Sequence, residues 1–539
     1  MSAEVTRAPG IESGEARAAP PPALRLVGIS KSFGPVQANR DIHLEVEKGT
    51  IHGIVGENGA GKSTLMSIIY GYYQADAGEI EVHGRKVEIR SPQDAIAAGI
   101  GMVFQHFKLV ENFTVLENIV LGVEGGALLG PALRRARRML VELARDYELA
   151  VDPDAVIETL SVGLQQRVEI LKALYRHADI LILDEPTGVL TPAEADHLFR
   201  ILRSLRDEGK TIILITHKLR EIMEVTDRVS VMRQGEIVAT RETAATSPEE
   251  LAELMVGRKV LLRVEKPPAR PGDRVLEVRD LCLRDEKGVE RLKNISFDLR
   301  EGEILAIAGV AGNGQSELLE VLSGIRAARG EVRLGSEPLD VARPDARLAR
   351  EMGLAHIPED RQRRGLVMEF HGWENTPFGY HHEPRFDRGW GLMDQKEMKR
   401  DAAGKFERFD IRPANPDLEA RSFSGGNQQK IVVAREIEHN PDVLIVGQPT
   451  RGVDIGAIEF IHRQLIELRD AGCAILLVSV ELDEVLSLGD RILVMFDGRI
   501  MGERRPEETD ERELGLLMAG VDPGAPEAGT ATGAEGREG

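Results

Sequence analysis

Cysteine is nearly absent. In 539 residues there are two, Cys282 and Cys473, which cannot build a disulfide framework and lack metal-ligand spacing. A reducing compartment is therefore expected. Aromatic residues make up only 4%, and no apolar run approaches the roughly 18 residues of a membrane-spanning helix. Positive charge is also in deficit, with 69 Lys+Arg against 89 Asp+Glu and a net charge of -20. Binding to nucleic acid requires phosphate neutralisation, so this balance argues against DNA or RNA as a partner. The first 23 residues mix Arg, Glu and three prolines (Pro20 to Pro22) without the apolar stretch of a secretory signal. They are expected to form a disordered arm, as is the Gly/Ala/Glu-rich tail 522–539.

What the chain does contain, it contains twice. The stretch Gly56, Glu57, Asn58, Gly59, Ala60, Gly61, Lys62, Ser63, Thr64 returns, altered, as residues 309–317, so Gln315 follows Lys62 by 253 positions. Residues 160–166 return as 423–429 and residues 181–187 as 444–450, both at an offset of 263. Three blocks in one order mean a duplicated domain, with some ten residues inserted in the second copy. The expected division is a first domain at 24–262, a short Pro-rich linker at 263–273 and a second domain at 274–521. In each copy, short β-branched runs such as 50–55, 180–183 and 211–215 alternate with longer amphipathic stretches. That alternation predicts an α/β fold with a mostly parallel sheet flanked by helices.

Gly56-x4-Gly61-Lys62-Ser63 follows an apolar strand and opens a helix, the context in which such a loop cradles phosphates. Glycines let backbone N–H groups close on the phosphate oxygens, and the helix N-terminus adds its dipole. Lys62 would reach the β- and γ-phosphates, and the Ser63 hydroxyl would ligate magnesium. Four apolar residues (180–183) then end in two adjacent carboxylates, Asp184 and Glu185. Side chains diverge at a strand end, so one can hold magnesium while the next addresses water. Asp184 is read as the metal partner and Glu185 as the base.

With Leu160-Ser161-Val162-Gly163-Leu164-Gln165-Gln166, Gln105 and His217, both halves resemble ABC-type ATPase cassettes, from about residue 24 to 520. The resemblance implies in each half a RecA-like core with an antiparallel β subdomain and a helical signature subdomain. It also implies that two cassettes close face to face, the phosphate loop of one against the signature of the other, around ATP and magnesium. By position, Gln105 matches the Q-loop that senses magnesium and the membrane partner, His217 matches the switch histidine at the γ-phosphate, and Phe33 matches the aromatic that stacks on adenine.

The second copy departs from this pattern at its reactive positions. Gln315 replaces Lys62, Gly447 replaces Asp184, Gln448 replaces Glu185, Val480 replaces His217 and Glu359 replaces Gln105. The loop frame survives as Gly309, Gly312, Gly314 and Ser316. Its signature, Ser424, Gly425, Gly426, Asn427 and Gln428, keeps the paired glycines that admit a phosphate to backbone N–H groups, whereas Ser161-Val162-Gly163 does not. The D-loop position holds Thr191 in the first copy and Asp454 in the second. If the cassettes pair head to tail, one composite site keeps both intact parts and the other collects the defects.

The resemblance implies the ATPase subunit of an importer at the cytoplasmic face of the cell membrane. Its expected partners are two multi-span permease subunits and, indirectly, an extracytoplasmic substrate-binding lipoprotein. Phe107, Leu109 and Phe113 are candidates for the permease contact. Residues 161–172, 104–107 and 312–315 are most similar to the nucleoside importer group, with a simple-sugar importer as the alternative. A soluble tandem ATPase acting on ribosomes or nucleic acid is the reading from another class. It is disfavoured by the short linker, the charge of -20 and the altered second site.

Overall fold

The computed structural model describes residues 21–521 except 35, 105–106, 124–128, 148, 161, 188–189, 191, 260–263, 311 and 390–391. Both halves follow one plan. In the first, a six-stranded sheet runs in the spatial order Glu236–Glu242, Arg228–Arg233, Ile51–Gly56, Thr211–Ile215, Ile180–Asp184, Ile100–Val103. All neighbours are parallel except the edge strand Glu236–Glu242. A four-stranded antiparallel sheet, with Leu24–Phe33 between Val36–Val46 and Ala77–Val82, lies beside it. The second half repeats the six-stranded order with Ile304–Ala308, Val443–Gly447 and Ala474–Ser479 in the corresponding places.

The parallel strands are apolar throughout because both of their faces are covered. Ile180 and Ile182 point into a cluster with Leu24, Leu26 and Ile42 of the antiparallel sheet. Leu181 and Leu183 point the other way, into a cluster with Val115, Ile119, Leu140 and Val168 of a helical lobe. Side-chain alternation along one strand thus builds two cores, with the phosphate loop at the sheet end between them. The lobe contains the helices Val115–Val120, Leu129–Asp146 and Val162–Tyr175, matched in the second half by Gly372–Asn375, Gln395–Arg408 and Gly425–Ile437.

The two halves meet reciprocally. Helix Pro248–Val256 of the first packs on helix Ile455–Asp470 of the second, and Glu511–Met518 of the second packs on Pro192–Asp207 of the first. The offset of 263 interchanges these pairs, as a two-fold relation between copies requires. Ile455 joins the apolar cluster that holds Leu251, Ala252 and Met255. Ion pairs Arg258–Glu459 at 3.0 Å and Lys218–Glu481 at 2.9 Å also cross, as does Arg220–Glu511.

Residues 264–272 are a strap docked on the second cassette. Lys266 Nζ donates to the Leu488 carbonyl at 3.0 Å and pairs with Asp490 at 2.9 Å, while Arg469 donates to the Pro267 carbonyl at 2.8 Å. The Arg469 side chain is fully buried and pairs with Asp490 at 3.0 Å. Its counterpart Arg206, paired with Asp227, lacks such a cover and is 29% exposed. Arg469→Met is therefore expected to lower the unfolding free energy of the second cassette by about 3–5 kcal/mol, and Arg206→Met to cost its cassette less than half as much. Both tryptophans, Trp373 and Trp390, lie in the second half. Their fluorescence in a urea titration reads the first effect and circular dichroism reads both, with equal losses at the two arginines counting against the strap.

Candidate functional site

The turn from Ile51–Gly56 into helix Lys62–Ile69 is held by two glycines. A Cβ at Gly56 would run into the Met232 carbonyl, and one at Gly61 into that of Ala38. Gly61 also needs φ +99°, a conformation L side chains rarely adopt. Asn39, fully buried and unremarked in the sequence, donates from Nδ2 to the Gly61 carbonyl at 3.1 Å and fixes the loop from outside. Ala60 is buried in the core, whereas Asn58, Gly59 and Ser63 are exposed on the rim, with Thr64 half-buried. Lys62 is 6% exposed, and its Nζ donates to the carbonyls of Gly56 at 2.6 Å and Glu57 at 3.0 Å. Burial lowers its pKa, while Glu185, Asp184 and Glu57 oppose that shift.

Sheet register brings the other groups to the same place. Asp184 pairs with Ile215, and the Glu185 N–H donates to the Ile215 carbonyl at 2.8 Å, so Glu185 stands beside the residues that follow Ile215. One of these is His217, whose Nδ1 lies 2.9 Å from Glu185 Oε1. Burial, aided by the Glu185 charge and opposed by Lys62, pushes the Asp184 carboxyl up to about 6. Burial acts on Glu185 in the same direction. There the His217 hydrogen bond and the charges of His217, Lys62 and Lys218 outweigh it and hold the carboxyl below the usual range. Adjacent carboxylates are thus driven apart, the arrangement by which a site separates two acid–base roles.

Across the interface, Asp454 of the second half faces the first loop. It raises the Glu57 carboxyl, second only to burial, to about 7 against the pull of Arg258, Lys62 and Arg233. Asp454 also abuts the second signature, since a Cβ on Gly426 would fall 2.8 Å from its Oδ2. One carboxylate therefore stands between the loop of one cassette and the signature of the other. Ser424 caps helix Gly425–Ile437 by accepting from the Asn427 N–H. Asn427 and Gln428, expected at the nucleotide, make hydrogen bonds within the second cassette. The Asn427 amide donates to Ser424 Oγ at 2.9 Å and accepts from the Arg412 N–H at 2.7 Å. Gln428 is buried and donates to the Ala420 and Phe423 carbonyls, as Gln165 does to Ile157 and Leu160. Both glutamines lock a helical turn. Arg258 was the residue sequence reasoning missed, and its only signal is its place just after the helix-ending Gly257.

The second loop keeps the frame of the first. Gly314 has φ +101° and Gln448 φ +48°, against +99° at Gly61 and +46° at Glu185. Gln315 is 5% exposed with its amide against Gly309. The Gln448 side chain accepts from the Val480 N–H at 3.4 Å. Ser316 Oγ donates to Glu359 Oε2 at 2.5 Å. In the first signature, Gly163 lies against Glu194. Gln105, Ser161 and Thr191 fall outside the described residues.

Phe33 ends its strand 42% exposed, edge-on to Tyr73 with ring centroids 5.2 Å apart. Leu109 packs on the helical-lobe core, and Phe107 and Phe113 are half-buried, so none of the three is the exposed hydrophobe expected. Exposed instead are Tyr72, Tyr73, Leu121 and Val123. Phe104 is half-buried beside Tyr72 at 5.7 Å. Among the described residues no helix is long and apolar enough to cross a membrane.

The family model for the ABC transporter matches the chain twice, at residues 39–188 and 292–451. A nucleoside import ATP-binding protein of Lactococcus lactis is 48% identical over 92% of the chain and 98% of its own length. A guanosine import ATP-binding protein of Bacillus subtilis is 48% identical over 95% of the chain and 99% of its own length. A glucose import ATP-binding protein of Haloferax volcanii is 45% identical over 93% and 96%.

Glu57 supplies a test of the interface charge. Its pKa is raised from 4.5 to about 7, so its ionised form is the one the folded chain disfavours. The penalty is full above about pH 7 and disappears as pH falls to 4.5. Glu57→Gln is expected to raise the melting temperature at pH 8, with the gain shrinking to nothing near pH 4.5. A gain independent of pH would contradict the assignment.

Proposed function

The chain belongs to the ABC transporter family, and from that premise we propose that it is the motor of a nucleoside importer with one hydrolysing site. The chain is an ATPase that binds ATP, and as an import ATP-binding protein it acts with membrane permease partners. The placement of Asp454 carries the one-site assignment. It stands between the intact loop of the first half and the paired-glycine signature of the second.

In that site the amides of residues 57–63 receive the phosphates. Lys62 exchanges its bonds to the Gly56 and Glu57 carbonyls for β- and γ-phosphate oxygens, and the exposed Phe33 face receives adenine. Ser63 and Asp184 fit magnesium, and the family pattern adds Gln105: a hydroxyl and a carboxylate pushed by burial up to about 6 make an oxygen donor pair that a cation stabilises. When bound, magnesium supplies electrostatic stabilisation to the phosphates. Glu185, held ionised by His217, accepts the proton of the attacking water. His217 positions Glu185 and, from the same place, reaches the γ-phosphate. At the second site the groups corresponding to Lys62, Asp184, Glu185 and His217 are all replaced. Loss of a general base alone costs about 10²–10⁴ in rate, so that site does not turn over usefully.

Nucleoside is preferred to sugar because identity is 48% to the nucleoside and guanosine proteins against 45% to the glucose and 43% to a Chromobacterium violaceum ribose import protein. The partners are two multi-span permease subunits fed by a substrate-binding lipoprotein, and the chain sits on the cytoplasmic face of the membrane. The exposed Tyr72, Tyr73 and Leu121 face a cytoplasmic permease segment. A ribosome-acting protein would need a basic linker, and here residues 264–272 carry only Lys266 and Arg270 and are docked.

Glu185→Gln is expected to lower ATPase activity at least a hundredfold while leaving ATP affinity within about threefold, whereas Gln448→Ala changes turnover less than twofold. Equal losses at both positions, read by phosphate release and equilibrium binding, would refute the single-site assignment. Magnesium affinity carries a second test. Because Asp184 titrates near 6, the apparent magnesium affinity should fall about tenfold per pH unit below that value and level off above it. A flat profile from pH 5 to 8 would contradict Asp184 as the ligand.

A further inference from the structure

Both cassettes carry the same exposed apolar rim. Tyr72 and Leu121 of the first half correspond to Ile325 and Phe378 of the second, and all four are exposed. The lobes match closely there, since the Asn118 and Asn375 side chains accept alike from the Val110 and Val367 N–H groups. Beneath the rim the two grooves differ. In the first half Tyr70 is buried edge-on to Phe104, with ring centroids 5.8 Å apart, in one apolar cluster with Ile96 and Met102. Ser323, Pro358, Arg350 and His356 stand in those four places in the second half, and a cavity of about 120 Å³ opens among them. Strand register confirms the match, because Met102 pairs with Ile182 and His356 with Ile445, 263 positions on.

Arg350, Arg364, Arg435 and His356 line this cavity, and no carboxylate does. The anionic partners of the arginines lie outside its wall. Glu436 accepts from Arg435 at 2.8 Å, Arg350 at 3.3 Å and the Tyr380 hydroxyl at 2.8 Å, and Glu320 pairs with Arg364 at 2.6 Å and Arg326 at 3.1 Å. Four arginines thus share two carboxylates, in a chain whose net charge is -20. Burial, opposed by Glu436 and aided by Arg350, Arg364 and Arg435, lowers His356 to about 4 and keeps it neutral. Among the described residues, Arg350 Nε and His356 Nε2 are buried without a hydrogen-bond partner. Buried donors without acceptors are costly, and an unmatched guanidinium charge favours an anion. The cavity is well below the roughly 300–1,000 Å³ of small-molecule sites, so it suits a single side chain inserted from a partner.

We propose that the groove of the second cassette receives an aspartate or glutamate side chain from a cytoplasmic segment of one permease subunit, while the first groove takes an apolar segment. The two cassettes then dock unlike permease subunits in a fixed order. This rests on the reading of Tyr72 and Leu121 as a permease-facing rim and adds the chemistry that tells the two docking sites apart. In the second groove a carboxylate meets guanidinium groups. In the first it would meet the Tyr70 and Phe104 rings, with Arg176 held on the Leu121 carbonyl at 2.8 Å and Lys172 on the Lys108 carbonyl at 2.9 Å. Discrimination comes from that mismatch as much as from the match.

A benzophenone amino acid at Phe378 or at Leu121 of the full chain, in complex with its own permease subunits in the membrane, reports what each groove receives once the adducts are mapped by mass spectrometry. Phe378 is expected to label one permease subunit at a segment carrying Asp or Glu, and Leu121 to label the other. Arg364→Glu should lower the Phe378 adduct by about tenfold or more while the Leu121 adduct and the ATPase rate of the free chain stay unchanged. The unchanged rate also reports that the variant is folded. Ser323→Tyr, which restores the ring of the first groove without altering charge, should lower the same adduct. Lysine in place of the acidic residue of the labelled segment should restore it in the Arg364→Glu background. One permease subunit labelled from both positions, a labelled segment without a carboxylate, a Phe378 adduct indifferent to both variants, or equal loss of both adducts would overturn the proposal and leave the permease-facing rim standing. No permease adduct from either position would overturn that rim as well.

Discussion

Everything at the first site depends on three parallel strands ending at one level. Ile51–Gly56 delivers the phosphate loop, Ile180–Asp184 delivers two carboxylates, and Thr211–Ile215 between them leads to His217. Slipping one strand by a single residue would turn its side chains to the opposite face and separate Glu185 from His217. Register is held because every strand is buried on both faces, with alternate residues committed to different cores. Apolar packing, remote from any phosphate, therefore sets the 2.9 Å contact between Glu185 and His217.

The second half shows which features belong to the architecture and which to the chemistry. Glu185 and Gln448 share a positive φ of +46° and +48°, an unfavourable conformation of about 1–3 kcal/mol for a residue with a side chain. Since Gln448 is not a base, that backbone strain is not reserved for hydrolysis. It follows from the strand-end hydrogen bond, made at 2.8 Å by both residues to Ile215 and Val478. Glycine φ values in the two loops are also close, +85° and +92° at Gly59 and Gly312 and +99° and +101° at Gly61 and Gly314. The described backbone of the two loops is thus alike, and the copies differ in their side chains.

Sequence reading carried far here because its signals were local in the chain and its repeats were unmistakable. The parallel strands were legible as apolar runs bounded by glycines and carboxylates, and observed strand ends differ from those expected by one residue at Thr50, Gly56 and Asp184. Roles that depend on where a side chain turns were not legible. Gln428 sits in the signature run yet faces its own lobe, and Phe107, Leu109 and Phe113 are half-buried where Tyr72 and Tyr73 stay exposed. Nor could spacing reveal that Glu359 fills the room vacated at Gly447, because the two lie on neighbouring strand ends 88 positions apart. Along the chain those two changes read as separate losses, although in space they are one exchange.

Fusion of the halves gives this asymmetry a physical meaning. In a pair of identical cassettes both composite sites must change together. Here the reciprocal helix packing keeps the two-fold contact while the two sites diverge. The strap at 264–272, anchored by Lys266 and Arg469, fixes one end of the first cassette against the second. Burial, aided by Asp454 and opposed by Arg258, pushes the Glu57 carboxyl up to about 7 where the cassettes meet. Apposing the halves then brings buried carboxylates together, and Lys62, Arg233 and Arg258 oppose that repulsion. A nucleotide brings further negative charge to the same place, which the loop amides and those cations must match. Nucleotide binding is therefore coupled electrostatically to cassette closure, which is the coupling an importer's motor requires.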